Sequence, residues 1–275
     1  RGHNPSRTRT AKVENTLQAE IMSTTIPFRE IRAIYDEDTV RVYQAYSDEI
    51  AELAVAANSF EAPAKAGCWS KTRMTWIKPS AVWMAYRCGW SQMKDNRQAR
   101  VLALDLSRSR FETLLMSATL SHGVTPVGDC KQSSVVVQWD PEREMDPAAE
   151  RKQVLTRAVR NVRSIQIGLR GDAVLMLLDP SFVVRITDVT SHFRQAAALL
   201  GAGDVDGAAE ALWPSPERPM VVPAGLRDAL DMAKQAADVS PAVPPTATSE
   251  ADRSVEGGAI EGDAIEGVAI EGDAI

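Results

Sequence analysis

The sequence predicts one α+β domain built on a mixed or antiparallel sheet with short helices, followed by a helical C-terminal extension. Two observations lead to this fold class. Stretches of strand composition alternate with short helical patterns, but regular β–α–β periods are absent. The hydrophobic content of 44% and the charged content of 25% are typical of a globular protein rather than a disordered or fibrous one.

The first predicted elements are a strand and a capped helix. The run 39–46 is rich in valine and tyrosine and alternates in polarity, so it predicts a strand. Ser47 is a favourable N-cap residue and predicts a helix over 48–58. The buried stripe of this helix is expected at Ile50, Leu53, Ala54 and Ala57.

A second helical pattern starts at Pro79, and a second strand follows it. Proline fits the first turn of a helix, because its missing N–H has no intrahelical partner there. Four large side chains then recur at spacings of three, four and seven, which places them on one helical stripe. They are Trp83, Tyr86, Arg87 and Trp90. A strand is predicted at 100–106 and a short helix at 109–120.

The second half of the predicted core contains three strands, at 133–139, 163–169 and 182–187. The first is expected to stop at Asp140-Pro141, because proline has no N–H for a strand ladder. The charged stretch 143–158 is expected to be partly helical on the surface, and Gly171 starts a short helix. Ala-rich helices are predicted at 191–212 and 223–237.

The two ends of the chain have the composition of disordered segments. Residues 1–25 are polar and lack an apolar period, and residues 238–275 combine a Pro/Ser/Thr linker with an acidic five-residue repeat. The net charge of −6 comes from the acidic end, so the body has no overall field that would attract nucleic acid. We therefore place an α+β core at 26–193 and a helical extension at 194–237.

Composition also argues against a membrane protein and against a metal site. No apolar run approaches the roughly 18 residues that span a bilayer, and no signal-peptide pattern opens the chain. The sequence therefore predicts a cytoplasmic protein without a membrane partner. Three cysteines without C-x-x-C spacing and three histidines offer no ligand pattern, so no metal is expected.

The segment 73–90 is unusually rich in aromatic and basic side chains. Its aromatic and polar members are Arg73, Trp76, Lys78, Ser80, Trp83, Tyr86, Arg87 and Trp90. Aromatic rings beside guanidinium groups can stack on a base and hold a phosphate, which favours a nucleotide site. The alternative is structural: Trp83 and Trp90 would be core residues, and Arg87 would pair with a carboxylate.

Further polar residues lie at the ends of the predicted strands. The early group is Arg29, Arg32, Asp36, Tyr43, Gln44 and Tyr46, and the late group is Gln138, Asp140, Glu142, Arg163, Ser164, Gln166 and Arg170. A glutamine in an apolar strand must satisfy both ends of its amide or lose about 1–3 kcal/mol. Gln138 and Gln166 therefore indicate a polar network or the wall of a site. The alternatives are that each faces solvent and that Asp140 only caps a turn.

No complete catalytic motif is present. The nucleophile elbow G-x-S-x-G, the phosphate-binding loop G-x-x-x-x-G-K-[ST], the zinc motif H-E-x-x-H and the dinucleotide-binding glycines are all absent from the sequence. Histidine is also poorly placed for general-base work, because the three histidines lie in a tail, a loop and a helix start. Any catalysis must therefore use Glu, Asp, Tyr, Lys or Arg.

Six blocks of polar and aromatic residues follow one another along the core, at 29–39, 42–46, 73–80, 86–90, 138–143 and 163–169. The fifth reads Gln-Trp-Asp-Pro-Glu-Arg and the sixth Arg-Ser-Ile-Gln-Ile-Gly-Leu. In this order they resemble the uncharacterised family known as domain of unknown function 4291, over roughly 26–193. The resemblance implies a compact bacterial and fungal cytoplasmic domain, with no established activity to carry over.

The same blocks are more distantly similar to ADP-ribosyltransferase-like folds, in which NAD-binding residues precede a strand that bears a catalytic glutamate. The resemblance implies that Glu142 or Asp140, in the motif that begins at Gln138, stabilises an oxocarbenium ion. It also implies that Trp76 or Tyr43 stacks on nicotinamide. The implied phosphate contacts are Arg73, Lys78 and Arg87. The remaining candidates for NAD binding are Arg32, Gln44, Ser80 and Gln166.

The sequence therefore predicts a nucleotide-handling enzyme that uses NAD as its substrate and transfers ADP-ribose to an unknown acceptor. One alternative is a binding module without catalysis, which holds a small nucleotide or a single-stranded nucleic acid. Another is that the Trp-rich helix is only core and the acidic tail recruits partners. A body without net charge favours a small ligand over a long nucleic acid.

Overall fold

The computed structural model describes residues 28–92, 95–121, 132–149 and 154–232. The segments predicted to be disordered, 1–25 and 238–275, lie outside the described residues, as does the end of the helix predicted at 223–237. The described residues form nine strands and eight α-helices in mixed order, which confirms the predicted α+β class.

The strands, numbered along the chain, are β1 Arg32–Ala33, β2 Thr39–Tyr46, β3 Thr75–Ile77, β4 Arg100–Ser107, β5 Thr119–Leu120, β6 Val135–Met145, β7 Thr156–Leu169, β8 Val183–Asp188 and β9 Arg218–Pro219. The helices are α1 Asp48–Ala57, α2 Glu61–Lys65, α3 Ala81–Cys88, α4 Arg108–Met116, α5 Asp172–Leu175, α6 Thr190–Gly201, α7 Val205–Leu212 and α8 Ala224–Ala229. Short 3-10 turns lie at Gly89–Ser91, Asn96–Gln98 and Met176–Leu178.

Two main sheets carry the fold. The first has the strand order β2-β4-β8 and is antiparallel throughout. The second has the order β3-β7-β6-β5 and is mixed, because β5 runs parallel to β6. One isolated bridge joins them: Tyr43 N donates to Lys78 O at 2.8 Å, and Lys78 N donates to Tyr43 O at 3.3 Å. The sheets therefore meet where β2 passes the end of β3.

The second sheet has one apolar face and one polar face. Side chains alternate along each strand, and paired residues share a face. The apolar face supplies core residues such as Ile77, Val137 and Ile167. The polar face carries the pairs Trp76–Gly168, Gln138–Gln166 and Asp140–Ser164, with Lys78 two residues beyond Trp76. Most of the late polar residues singled out in the sequence therefore lie on one surface.

The core has two parts, one on each face of the first sheet. The larger part packs α1, α4 and the apolar face of the second sheet against alternate residues of β2 and β4. The smaller part packs α3, α6 and α7 against the opposite face, with Tyr43, Val101 and Ala103 on the strands. Because both faces of β2 are covered, its polar side chains have little access to solvent.

Several predicted elements are confirmed closely. β2 has the predicted bounds, and Ser47 caps α1 by accepting a hydrogen bond from Ile50 N at 3.5 Å. The buried stripe of α1 is narrower than predicted, because Ala51 and Ala54 are buried whereas Ala57 is exposed. The helix predicted over 109–120 ends at Met116, since the following residues pair as β5 with β6.

The expected stop at Asp140-Pro141 is wrong. β6 runs through Pro141, and the register shifts between Pro141 and Arg143. The pairing skips Glu142 on β6 and residues 159–162 on β7. A proline, which has no N–H to donate, is tolerated beside such an irregularity. The surface helix predicted over 143–158 is also wrong. Residues 143–145 belong to β6 and residues 156–158 to β7, and the two segments pair antiparallel. Cross-strand pairing, such as Glu144 with Arg157, replaces the helical contacts.

The aromatic stripe predicted from Pro79 is interrupted. Helix α3 starts after its N-cap Ser80, so Pro79 precedes the helix instead of occupying its first turn. The helix ends at Gly89, and φ is +55° at Gly89, +59° at Trp90 and +58° at Ser91. This left-handed run turns Trp90 off the helical stripe and into the core, which confirms the structural alternative for Trp90.

The C-terminal extension is part of the same structural unit as the core. β9 pairs antiparallel with β1, and Met220 N donates to Ile31 O at 2.7 Å. Tyr35 also donates its hydroxyl to the carbonyl of Pro219 at 2.8 Å. Helices α6 and α7 supply about a third of the buried residues of the smaller core. The predicted extension therefore packs against the predicted core.

Candidate functional site

Lys78 is the buried centre of the polar face. Its side chain is only 1% exposed, and its ammonium donates to Asp140 Oδ2 at 3.1 Å and to Ser164 O at 3.4 Å. The ammonium also lies 4.1 Å from the ring centroid of Trp83, a cation–π contact. Burial lowers the pKa of Lys78 to about 8, against the opposing effect of Asp140. Lys78 therefore holds the Asp140 carboxylate against β7.

The two strand glutamines belong to a polar surface, as predicted, and they differ in their partners. Gln138 donates its amide to Asp140 Oδ1 at 2.9 Å, so Asp140 is held by both Gln138 and Lys78. Gln166 lies opposite Gln138 in register and is half-buried. Within the described residues its amide has no hydrogen-bond partner. Gln166 thus offers an amide donor and acceptor next to Gln138 and the Asp140 carboxylate that Gln138 holds.

Glu142 is anchored through one oxygen. Ser80 donates its hydroxyl to Glu142 Oε1 at 3.0 Å, and Arg143 N donates to the same oxygen at 2.8 Å. Ser80 is itself fixed as the N-cap of α3, where its hydroxyl oxygen accepts from Trp83 N at 3.3 Å. No donor from the described chain reaches Glu142 Oε2. The site therefore contains a positioned, half-buried carboxylate with an open oxygen.

The Arg143 guanidinium lies against an aromatic ring beside this carboxylate. Its Cζ is 3.1 Å from the ring centroid of Tyr86, which projects from the exposed side of α3. Burial lowers the pKa of Arg143. Among the described residues it has no carboxylate or hydrogen-bond partner. A guanidinium ordered by stacking and left without a counter-ion is suited to an anion.

Glu217 is a site residue that the sequence reasoning missed. It comes from the extension and covers the start of α3, where Oε1 accepts from Ala81 N at 2.7 Å and from Trp213 Nε1 at 3.1 Å. Burial raises the pKa of Glu217 to about 8, and the charge of Glu142 acts in the same direction. It lies between Pro216 and Arg218 in a proline-rich stretch, so no periodic pattern pointed to it.

Replacing Glu217 with Gln is expected to make stability less dependent on pH. The folded-state pKa of about 8 lies above the ordinary value of 4.5, so the folded state keeps a proton that the unfolded state releases. The associated stability is fully present below the unfolded pKa and is lost as the pH rises through about 8. The glutamine variant keeps the acceptor for Ala81 N and Trp213 Nε1 but does not titrate.

The measurement is the free energy of unfolding in urea at about pH 5 and about pH 8. Wild type should lose more stability than the Glu217→Gln variant between these conditions. The Glu144→Gln variant is the matched control, because Glu144 is an exposed partner of Arg157 and should keep the wild-type slope. Equal slopes in wild type and the Glu217 variant would contradict the raised pKa assigned to Glu217.

An open cleft adjoins the polar cluster at the β6 bulge. Its volume is about 370 Å³, and its lining residues are Phe28, Arg29, Gln138, Trp139, Asp140, Pro141 and Arg163. The cleft brings together two of the predicted catalytic residues, Gln138 and Asp140, with two arginines. Among the predicted site residues, the structure thus groups Gln138, Asp140, Glu142, Lys78, Ser80 and Gln166.

The remaining predicted site residues lie elsewhere or are engaged. Tyr43 is 3% exposed and packs against Phe193 with ring centroids 6.0 Å apart, so its ring cannot stack on nicotinamide. The predicted role of Gln44 in NAD binding is corrected too, because Gln44 is buried. Its amide oxygen accepts from the hydroxyl of Tyr46 at 2.5 Å, and its amide nitrogen donates to Thr75 Oγ1 at 3.3 Å. Both errors arise because β2 is covered on both faces.

The predicted cations also separate. Arg73 and Arg87 are exposed, and among the described residues no hydrogen bond or ion pair fixes either guanidinium. Arg32 is paired with Glu30 at 3.0 Å and donates to the carbonyl of Glu217 at 3.4 Å. Trp76 is half-buried on the polar face, with its ring lying over Gly168.

The described residues also bear on metal binding and on membrane insertion. Within these ranges, no three His, Cys, Asp or Glu side chains are grouped so that they could hold a metal ion. In the same part of the chain, no helix has the length and apolar character needed to cross a membrane.

Comparison with known families identifies the domain. A family model described as Domain of unknown function (DUF4291) matches residues 30–219, more than half of the chain. The chain belongs to this family. This confirms the resemblance drawn from the six sequence blocks. The DUF4291 match runs past residue 193 and includes Glu217 and β9, the strand that pairs with β1. No curated protein matches the chain.

Proposed function

We propose that the polar face binds a nucleotide and that the protein transfers ADP-ribose from NAD to an acceptor. The observation that carries the proposal is the Glu142 carboxylate, which is fixed by Ser80 and by a backbone N–H and keeps its second oxygen open. A carboxylate held in place before reaction can stabilise positive charge that develops on a sugar ring without reorganising.

The proposed reaction breaks the bond between nicotinamide and the ribose. The electron pair of that bond passes to the nicotinamide nitrogen, and the ribose acquires oxocarbenium character next to Glu142. The acceptor then forms a bond to the anomeric carbon and loses a proton to solvent or to a nearby base. Asp140 is already held by Lys78 and Gln138, so it is a positioning residue, and Glu142 carries the charge stabilisation.

The surroundings of Glu142 support a nucleotide ligand. Arg143, stacked on Tyr86, supplies a positive charge for the diphosphate in place of Arg73 and Arg87. Trp76 and Gln166 lie together on the polar face and could contact a planar ring and its polar edge. Trp83 is engaged with Lys78 and shapes the wall of the site.

The test is the release of nicotinamide from NAD with water as the acceptor. The Glu142→Gln variant is expected to lower the rate about a hundredfold, because it keeps the acceptor for Ser80 but loses the charge. The control is Glu144→Gln on the same strand, where the exposed side chain pairs with Arg157 and should not affect the rate. An unchanged rate in the Glu142 variant would reject the proposed role.

A non-catalytic nucleotide-binding module is the second candidate function. The unpartnered amide of Gln166 beside Trp76 favours it, since an amide and an aromatic face are sufficient to read and stack one base. The same assay separates the two. Saturable binding of nucleotides without any nicotinamide release would support the module, and salt-sensitive binding of a short single-stranded oligonucleotide would extend its ligands to nucleic acid.

A further inference from the structure

The cleft at the β6 bulge is closed on one side by a short N-terminal segment. Arg163 N donates to Phe28 O at 2.6 Å, and Arg29 forms a parallel bridge with Arg163. Residues bridged in this way present their side chains to the same side of the sheet. The Arg29 and Arg163 side chains therefore converge on one opening, which Trp139 and Pro141 border from β6.

Phe28 orders both guanidinium groups. Its ring centroid is 5.7 Å from Arg29 Cζ and 5.4 Å from Arg163 Cζ. Contact of a guanidinium with an aromatic ring restricts the side chain while leaving its N–H donors available. Arg163 is also half-buried, so its orientation is set by the wall of the cleft.

The charges of the cleft do not balance. Arg29 is neutralised by an ion pair with Asp231 and also donates to the carbonyl of Asp231 at 3.1 Å. Asp140 is neutralised by Lys78 at 3.1 Å. In the parts of the chain that the structure describes, Arg163 has neither a carboxylate within ion-pair distance nor a hydrogen bond to its guanidinium. The lining thus retains one positive charge, on Arg163.

We infer that this cleft is a phosphoryl-binding subsite in which Arg163 is the principal ligand. A guanidinium presents parallel N–H donors that match two oxygens of a phosphate. A volume of about 370 Å³ is at the lower end for ligand sites and suits a small phosphorylated ligand rather than a polymer. For the identity of that ligand, a nucleotide, the inference rests on the proposed function; the presence of a phosphate subsite does not.

Titration calorimetry with inorganic pyrophosphate, ADP-ribose and adenosine tests the inference. We expect pyrophosphate and ADP-ribose to bind, and Arg163→Gln to weaken both about tenfold or more, as expected from the loss of a charged hydrogen-bond donor. The matched control is Arg160→Gln, which removes an exposed arginine from the same strand and should leave both affinities unchanged. Adenosine binding should not respond to either change.

The Arg163→Lys variant keeps the positive charge but removes the parallel N–H donors of the guanidinium. It also keeps the test informative if the glutamine variant folds poorly. It should bind pyrophosphate more weakly than wild type, because an ammonium lacks the parallel donors. Equal losses in the Arg160 and Arg163 variants, or none in either Arg163 variant, would overturn the inference. Absence of pyrophosphate binding to wild type would overturn it too.

The outcome can be distinguished from that of the proposed function. Arg163-dependent phosphate binding without nicotinamide release would leave the subsite in place and reject ADP-ribosyl transfer from NAD. Nicotinamide release that depends on Glu142 but is insensitive to Arg163, in both KM and kcat, would support the transferase and reject the assignment of a nucleotide to the subsite.

Discussion

Replacing Lys78 with Met is expected to lower the free energy of unfolding by about 3–5 kcal/mol. The Asp140 side chain is only 12% exposed, and Lys78 is its cationic partner. The methionine fills similar space but leaves the carboxylate without a counter-ion, and an uncompensated buried charge is costly. The pair as a whole need not add stability, since burial already lowers the pKa of Lys78.

Urea unfolding of the single and double variants measures this effect. The double variant Lys78→Met with Asp140→Leu should recover most of the loss, because it removes both charges together. A loss below about 1 kcal/mol in the single variant would show that water or Gln138 alone can satisfy Asp140. Failure of the double variant to recover would instead assign the loss to packing against Trp83.

Replacing Trp90 with Ala is expected to cost about 3–5 kcal/mol, which is the range for the removal of a large buried aromatic side chain. Trp90 is 1% exposed, its ring centroid lies 6.4 Å from that of Phe193, and its indole Nε1 donates to Val154 O at 2.7 Å. The change would create a cavity and leave the partly buried carbonyl of Val154 without its donor.

Trp83 provides the matched comparison within the same segment. It is half-buried and contributes mainly the cation–π contact with Lys78 and an edge contact with Tyr86. Its replacement with Ala should therefore cost less, on the order of 1–2 kcal/mol. Thermal or urea unfolding of the two variants decides the matter, and equal losses would contradict the separation of Trp90 from the site.

The sequence predicted local structure where the chain carries its own signals. The alternation in β2 and the Ser47 cap depend on adjacent residues, so the bounds of β2 and the start of α1 were accessible. The β6–β7 pair was missed beyond Pro141, because cross-strand partners and a bulge are invisible to a one-dimensional pattern. The charged residues in 143–158 were predicted to lie on a surface helix, whereas both ends of this stretch belong to the paired strands β6 and β7.

The candidate site was predictable only in part for the same reason. Polar residues after an apolar strand indicated Gln138, Asp140 and Glu142, but their partners Lys78 and Ser80 lie on β3 and α3 and required the fold. Tyr43 had the composition of a stacking residue, although the second layer of helices covers it. Glu217 had no local signal at all.

The bridge between Tyr43 and Lys78 has a mechanical consequence for the carboxylates. Within the described residues, this bridge joins the two sheets by two backbone hydrogen bonds, whereas long ladders of hydrogen bonds join the strands inside each sheet. Lys78 contributes its backbone to that bridge and its ammonium to Asp140. Because one residue makes both contacts, a substitution that alters how the two sheets are joined at Tyr43 should also shift the ammonium that holds Asp140.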